Sequence, residues 1–130
     1  IKKARGEKEL EAIEFLKLMR LSHWQEAPAG TELTTEGQPV EKVMLIHSGE
    51  AAVYVNHKKV NVLKDGDFIG EMSFLSEQEA TATVKLEHTT RYLAWDKLAL
   101  SQLLQRNPNL RFAMQTLIGK DLTRKLRRND

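Results

Sequence analysis

Glycines punctuate the middle of this chain at intervals that fit short strands. They stand at positions 30, 37, 49, 66 and 70, and the stretches between and after them contain runs of four to six strand-favouring residues. Short runs separated by turn residues at this spacing are typical of a β-sandwich or a β-roll. The predicted strands cover residues 32–35, 43–47, 51–55, 60–63, 81–86 and 91–94.

Helical periodicity lies on both sides of the predicted strands. Before them, residues 7–20 carry apolar side chains mostly on one side of a helix; these are Leu10, Ile13, Phe15, Leu16 and Met19. After them, Asp96 offers an N-cap for a helix that ends before Asn107. Asn107 and Pro108 suit the cap and first turn of a further helix. Its predicted buried stripe consists of Leu110, Met114, Leu117, Ile118, Leu122 and Leu126.

These elements predict one domain of the α+β class over residues 1–130. A chain of 130 residues, 41% hydrophobic and 29% charged, has the ordinary composition of a globular protein with one core. We expect an antiparallel β-roll, double-stranded and jelly-roll-like, with one N-terminal helix and two C-terminal helices. The leading helix is placed at about 6–21, the β-roll at about 28–95 and the C-terminal helices at about 96–127.

Cysteine usage and hydropathy indicate the compartment. The chain has no cysteine, which suits a reducing compartment and excludes a disulfide framework. Its apolar runs are far shorter than a bilayer requires. We therefore expect a cytoplasmic domain, or the cytosol-facing domain of a membrane protein. The start at Ile1 rather than methionine leaves open a longer parent chain with a membrane anchor or an effector domain.

Cations crowd the C-terminal end although the net charge is only +2. They are Lys120, Arg124, Lys125, Arg127 and Arg128. Such a tail could touch nucleic acid or anionic lipid, in a contact that is sensitive to salt and blind to sequence. We favour a solvated helix end whose cations complement the helix dipole. We expect no specific nucleic-acid binding.

The most informative stretch surrounds Gly70 and Glu71. Residues 65–84 read DGDFIGEMSFLSEQEATATV. This stretch resembles the phosphate-binding cassette of cyclic-nucleotide-binding domains, in which a Gly-Glu turn opens a short helix and a loop then carries an arginine and a small residue into the next strand. The resemblance covers roughly residues 28–106. Other positions that match the spacing of the family are Gly37, Gly49, Gly66, Ser73 and residues 82–84.

By this resemblance the chain is a non-catalytic regulatory domain with cAMP or cGMP as its ligand and no other cofactor. The resemblance implies that the backbone N–H groups of Met72 and Ser73 face the phosphate, and that Gly70 lets the backbone approach it closely. It also implies that Glu71 accepts a hydrogen bond from the ribose 2′-hydroxyl. Thr81 would donate to the phosphate or to a purine edge.

Ala80 stands where the family has the arginine that grips the cyclic phosphate. A hydrogen bond to a charged group contributes about 1.5 to 3 kcal/mol, so its loss should weaken phosphate binding by about tenfold to a hundredfold. Residues 65–84 include five acidic residues and neither lysine nor arginine, which makes the local field unfavourable to an anion. The cations that the fold could bring in to compensate are Lys58, Lys59, Lys64 and Arg91.

A second resemblance concerns the C-terminal part, which is similar to the corresponding end of the Popeye domain. The similarity rests on residues 90–96, TRYLAWD, and residues 117–126, LIGKDLTRKL. The Popeye group is a branch of the cyclic-nucleotide-binding fold that also lacks the standard arginine and usually follows membrane-spanning helices. Residues 68–72, FIGEM, are closer to the ordinary cassette, which points to a bacterial-type intermediate.

Several residues have a structural interpretation beside the functional one. Glu71 is either the ribose ligand or a carboxylate at a helix start that free amides stabilise. For Thr83 we favour simple strand propensity. For the large aromatic residues we favour packing over stacking on a purine. These aromatic residues are Trp24, Tyr92 and Trp95.

Neither a metal site nor a catalytic site is expected. The four histidines show no close pairing of the kind that metal ligands have. They are His23, His47, His57 and His88. The sequence contains no Gly-x-Ser-x-Gly elbow, Walker loop or dinucleotide glycine pattern, so we expect no enzyme.

Two functions stay open at this point. The first is a sensor in which a cyclic nucleotide binds between the β-roll and the C-terminal helices, whose movement transmits the event. The second is a ligand-free module for protein interaction or homodimerisation, in which the helix from Pro108 onward pairs through its leucine stripe. Fold alone does not decide between them.

Overall fold

The computed structural model describes the backbone of residues 2–129 and the side chains of residues 12–127. This part of the chain has four helices: α1 (Lys2–Leu21), α2 (Glu71–Ser76), α3 (Lys97–Arg106) and α4 (Pro108–Asn129). It also has eight strands: β1 (His23–Ala27), β2 (Glu32–Thr34), β3 (Lys42–Ser48), β4 (Ala51–Val55), β5 (Lys58–Leu63), β6 (Phe68–Ile69), β7 (Thr83–Leu86) and β8 (Thr90–Asp96).

The strands form two antiparallel four-stranded sheets. The first sheet has the order β1-β8-β3-β6 and the second has the order β2-β7-β4-β5. The predicted α+β class, an antiparallel β-roll with flanking helices, is therefore confirmed. The sequence did not predict β1, which begins at His23, ahead of the expected start of the roll near residue 28. The whole of β1 pairs with β8, but its side chains are mostly exposed, so no apolar alternation marks it.

The central strands β3 and β8 are buried on both faces. Their register pairs Val43 with Trp95 and Met44 with Ala94. Because side chains alternate across a strand, Val43 and Trp95 join the core against the helices. Met44 and Ala94 join the core between the two sheets. Burial on both faces explains why residues 43–46 form an unbroken apolar run.

The C-terminal helices cover the first sheet as their caps and apolar positions predicted. The Asp96 side chain accepts a hydrogen bond from the Ala99 N–H at 2.9 Å, which caps α3. The α4 residues Leu110, Met114 and Ile118 are buried against that sheet. Two other members of the predicted stripe are not buried: Leu117 and Leu126 are 48% and 68% exposed.

Helix α1 docks only in part by the face that its apolar pattern predicted, since Met19 packs against the core and the other described members of that face do not. Leu18 is buried, and its carbonyl oxygen accepts a hydrogen bond from the indole of Trp95 at 2.8 Å. The apolar side chains near Leu18, at the end of α1, pack into the core against the helices. Leu10 lies outside the described side chains. Contrary to expectation, three apolar side chains of α1 are more than half exposed: Ile13, Phe15 and Leu16.

Packing is confirmed for two of the three large aromatic residues and is wrong for the third. Trp95 and Tyr92 are buried, whereas Trp24 is 50% exposed. The indole of Trp24 lies on β1 at the edge of the first sheet. It meets the ring of His47 edge-on at 5.2 Å, and the guanidinium of Arg91 stands 4.8 Å from its ring centre. An edge strand with outward side chains offers no core for this residue.

The turn between β3 and β4 allows only glycine at position 49. Gly49 has a φ of 144°, and a Cβ atom there would overlap the side chain of Thr90. That side chain is buried, and its hydroxyl accepts from the Glu50 N–H at 3.3 Å and donates to the His88 carbonyl oxygen at 2.9 Å. The threonine cannot move without losing these bonds.

We predict that Gly49→Ala lowers the free energy of unfolding by about 1 to 3 kcal/mol more than Gly66→Ala does, because overpacking adds to backbone strain. Gly66 is the matched control: its φ is 88°, but a Cβ atom there meets nothing within 4 Å. Denaturant unfolding of both variants measures the difference. Equal losses would contradict the packing argument.

Candidate functional site

The polypeptide turns sharply at Gly70 to pass from β6 into α2. Gly70 has a left-handed backbone with φ 83° and ψ 4°. A Cβ atom at this position would lie 2.7 Å from the Lys42 carbonyl oxygen, so only glycine fits. The turn places the next residue, Glu71, at the start of α2 with its side chain buried.

A cavity with a volume of about 170 Å³ opens beside this turn. Its walls are the second sheet, α2 with the end of β6, the loop before β7, and α4. Leu122 and Lys125 are the α4 residues that line it. The six site residues predicted from the sequence all line this cavity: Gly70, Glu71, Met72, Ser73, Ala80 and Thr81.

The carboxylate of Glu71 is paired inside the protein. Glu71 is 4% exposed, and its Oε1 lies 2.6 Å from the Nζ of Lys125. Burial raises the pKa of the Glu71 carboxyl, and the charge and hydrogen bond of Lys125 offset part of that rise. The carboxylate is stabilised by a backbone amide at the helix start, as one interpretation predicts, and also by an ammonium from α4.

Asp121 completes a buried network between α4 and the cassette. Its Oδ1 accepts from the Phe68 N–H at 3.1 Å and from Arg124 Nη2 at 3.2 Å. Its Oδ2 lies 2.7 Å from Lys125 Nζ, an ion pair whose angles are not those of a hydrogen bond. Lys125 also donates to the Phe68 carbonyl oxygen. Two side chains of α4 thus satisfy both outward backbone groups of Phe68.

The loop before β7 is fixed by its backbone. The Ala80 N–H donates to the Gln38 carbonyl oxygen at 2.9 Å, and the Ala80 carbonyl oxygen accepts from the Gly37 N–H at 2.8 Å. The small side chain of Ala80 is 7% exposed and lines the cavity, where it brings no charge. Thr81 is exposed at the rim. The hydroxyl of Thr83 accepts from the Glu36 N–H at 2.9 Å, which agrees with a structural role.

The cation that reaches the cavity is not one that we expected. Lys59 pairs with Glu87 at 3.0 Å, Arg91 lies over an aromatic ring, and neither Lys58 nor Lys64 lines the cavity. The cation is Lys125 from the basic tail, and its side chain is only 13% exposed.

The solvated helix end that we favoured for the tail is therefore wrong at Lys125. One signal could have found it. Asp121 is an acidic residue within the basic tail, and it stands four residues before Lys125, the spacing of a helical ion pair.

Comparison with known proteins assigns the family. Residues 24–107, more than half of the chain, match the family model of the cyclic nucleotide-binding domain. The chain belongs to this family of ligand-binding regulatory domains, as the cassette predicted. Among solved structures, a cyclic nucleotide-binding domain from Methylobacillus flagellatus KT superimposes with a TM-score of 0.81 at 27% identity, over 89% of this chain and 68% of that one.

Two of the curated relatives are a cyclic-nucleotide-dependent kinase and a regulatory subunit of such a kinase. A cAMP-dependent protein kinase regulatory subunit of Neurospora crassa is 34% identical over 82 residues, which are 62% of this chain and 21% of that protein. A cGMP-dependent protein kinase of Toxoplasma gondii is 34% identical over 84 residues, 60% of this chain and 8% of that protein. The chain thus spans only a small part of these relatives. Within residues 2–129, no helix is both long and apolar enough to span a bilayer.

The raised pKa of Glu71 gives a pH dependence with a definite sign. The folded state holds the proton of Glu71 more tightly than the unfolded chain does, so stability contributed by this group falls as pH rises from about 4.5 through the raised value. We predict that wild type loses stability relative to Glu71→Gln over this rise. Denaturant unfolding between pH 4 and 8 measures the difference.

The exposed Glu79→Gln is the matched control for that series, because it removes a carboxylate outside the buried network. A wild-type advantage over Glu71→Gln that grows with pH would show that the ion pair with Lys125 outweighs the burial of Glu71.

Proposed function

We propose that this domain is a non-catalytic sensor that binds cAMP or cGMP in the cavity beside Gly70 and Glu71, and binds it weakly. The observation that carries the proposal is a buried acceptor, the carboxylate of Glu71, at the wall of a cavity that Gly70 also lines. Family membership supports the ligand class. The absence of cysteine from the chain supports a cytosolic or cytosol-facing location.

In this proposal the ribose 2′-hydroxyl donates to the carboxylate of Glu71. The phosphate faces the backbone N–H groups of Met72 and Ser73, which have no intrahelical partner in the first turn of α2. Thr81 stands at the rim of the cavity, where its hydroxyl can donate to the phosphate or to the base. All of these partners except Glu71 are neutral.

Weak binding follows from Ala80. The loop at Ala80 lacks the charged side chain that would donate two hydrogen bonds to the phosphate. Such a contact contributes about 1.5 to 3 kcal/mol. The loop itself is held in place by the backbone bonds of Ala80. An arginine introduced at this position would therefore emerge from an ordered backbone directly into the cavity.

We predict that calorimetric titration with cAMP or cGMP shows binding to the wild-type domain, and that Ala80→Arg strengthens it by about tenfold to a hundredfold. Gln78→Arg is the matched control, since it adds the same charge on an exposed position of the same loop. No heat from either wild type or Ala80→Arg at millimolar nucleotide would overturn the sensor.

The second candidate is a ligand-free module that forms a homodimer through α4. Half of the expected stripe is not available for pairing, since Leu110, Met114 and Ile118 are buried in the core of the same chain. The opposite face of α4 is available. It presents Phe112, which is 72% exposed, and Leu126, which is 68% exposed, and between them lie small side chains that allow close approach.

For this second candidate we predict a dimer in analytical ultracentrifugation that Phe112→Ser converts to a monomer, because the substitution removes the largest exposed apolar side chain of α4. Leu98→Ser on α3 is the control, with the same chemistry and a comparable exposure of 68%. A monomeric wild type at high micromolar concentration would exclude the dimer.

A further inference from the structure

We propose that Lys125 is the phosphate-binding cation of this site, and that it reaches a cyclic phosphate by exchanging Glu71 for it. The inference rests on the proposed function and names the residue that takes the place of the missing arginine. Among the described residues that line the cavity, Lys125 is the one lysine or arginine. It comes from α4, the helix that forms the far wall.

Three oxygen atoms already lie against the Lys125 ammonium. A lysine ammonium offers three donors and no acceptor. Here the ammonium contacts the Glu71 Oε1 at 2.6 Å, the Asp121 Oδ2 at 2.7 Å and the Phe68 carbonyl oxygen. Two of its N–H groups donate, to Glu71 and to Phe68, and the Asp121 carboxylate lies close without a hydrogen bond. In the proposal an entering phosphate takes the place of one of these three oxygens.

Glu71 is the partner that the ligand can replace. Asp121 is fully buried and is bound to the Phe68 N–H as well, and the Phe68 carbonyl oxygen belongs to the sheet edge. Each of these two would lose a partner without gaining one. Glu71 lies at the cavity wall, where a ribose hydroxyl can take over its Oε1 as the lysine donor turns to the phosphate.

The exchange leaves each group with a partner, although the phosphate adds one negative charge to the site. Lys125 passes from one anion to another, and the carboxylate of Glu71 keeps a hydrogen-bond donor. The network contains three buried carboxylates, Asp67, Glu71 and Asp121, and two cations, Lys125 and the exposed Arg124. A phosphate can therefore enter only next to a cation, and Lys125 is the one that borders the cavity.

The small volume of the cavity fits a site in which α4 must move when a nucleotide binds. Small-molecule sites usually have volumes of about 300 to 1,000 Å³, and this cavity has about 170 Å³. The α4 residues Leu122 and Lys125 occupy one wall. When Lys125 leaves Glu71, the direct tie between α4 and α2 becomes a tie through the ligand.

The test is calorimetric titration of Lys125→Gln and of a matched control, Lys120→Gln, with two probes, cAMP and adenosine. Lys120 is an exposed lysine on the same helix. Adenosine carries the ribose and the base but no phosphate. We expect Lys125→Gln to weaken cAMP binding by at least about tenfold and not to weaken adenosine binding, while Lys120→Gln changes neither.

Two results would overturn the inference. Unchanged or tighter cAMP binding by Lys125→Gln would show that Lys125 only blocks Glu71. An equal loss for cAMP and adenosine would show that the residue only positions the cassette.

Two further variants keep the outcomes distinct. Ala80→Arg/Lys125→Gln should regain cAMP affinity, since an arginine replaces the lost cation. If Lys125→Gln does not fold, Asp121→Asn/Lys125→Gln removes the stranded carboxylate together with the ammonium and takes its place in the titration. If neither wild type nor Ala80→Arg shows heat of binding with cAMP, the proposed function itself has failed.

Discussion

The tie between α4 and the backbone of Phe68 organises this structure. β6 is only two residues long and stands at the edge of its sheet, so the outward N–H and carbonyl groups of Phe68 have no strand partner. Asp121 and Lys125 satisfy them. Because the same lysine also holds Glu71, the edge strand, the cassette helix and the C-terminal helix form one connected unit.

Burial makes this tie rigid in a way that surface ion pairs are not. Asp121 is fully buried, and the Lys125 side chain is 13% exposed, so removing either partner strands a charge at a cost far above that of an exposed pair. A ligand that brings its own anion and its own hydroxyl is a different case, since it can replace one contact of Lys125 without leaving any group unpaired. The network therefore resists mutation but permits exchange.

Two of the elements that the sequence predicted have two-sided or capped signals. Residues 43–46 are apolar on both faces because β3 lies between the helices and the second sheet, and Asp96 caps α3 by a bond three residues away. β1 was missed because its stability comes from backbone pairing with β8 and not from side-chain burial. The docking face of α1 was misjudged because only its last turns meet the core.

The sequence by itself determined the cassette: the turn at Gly70, the acidic residue after it, and the lack of a charge at Ala80. These features depend on neighbours within one turn or one strand, so a local pattern carries them. Only the tertiary structure decided which cation serves the site, because the contact between Glu71 and Lys125 joins residues 54 positions apart. A lysine in a basic tail has the same local sequence pattern whether it is surrounded by water or lies beside a buried carboxylate. The path of α4 across β6 decides which of these environments Lys125 has.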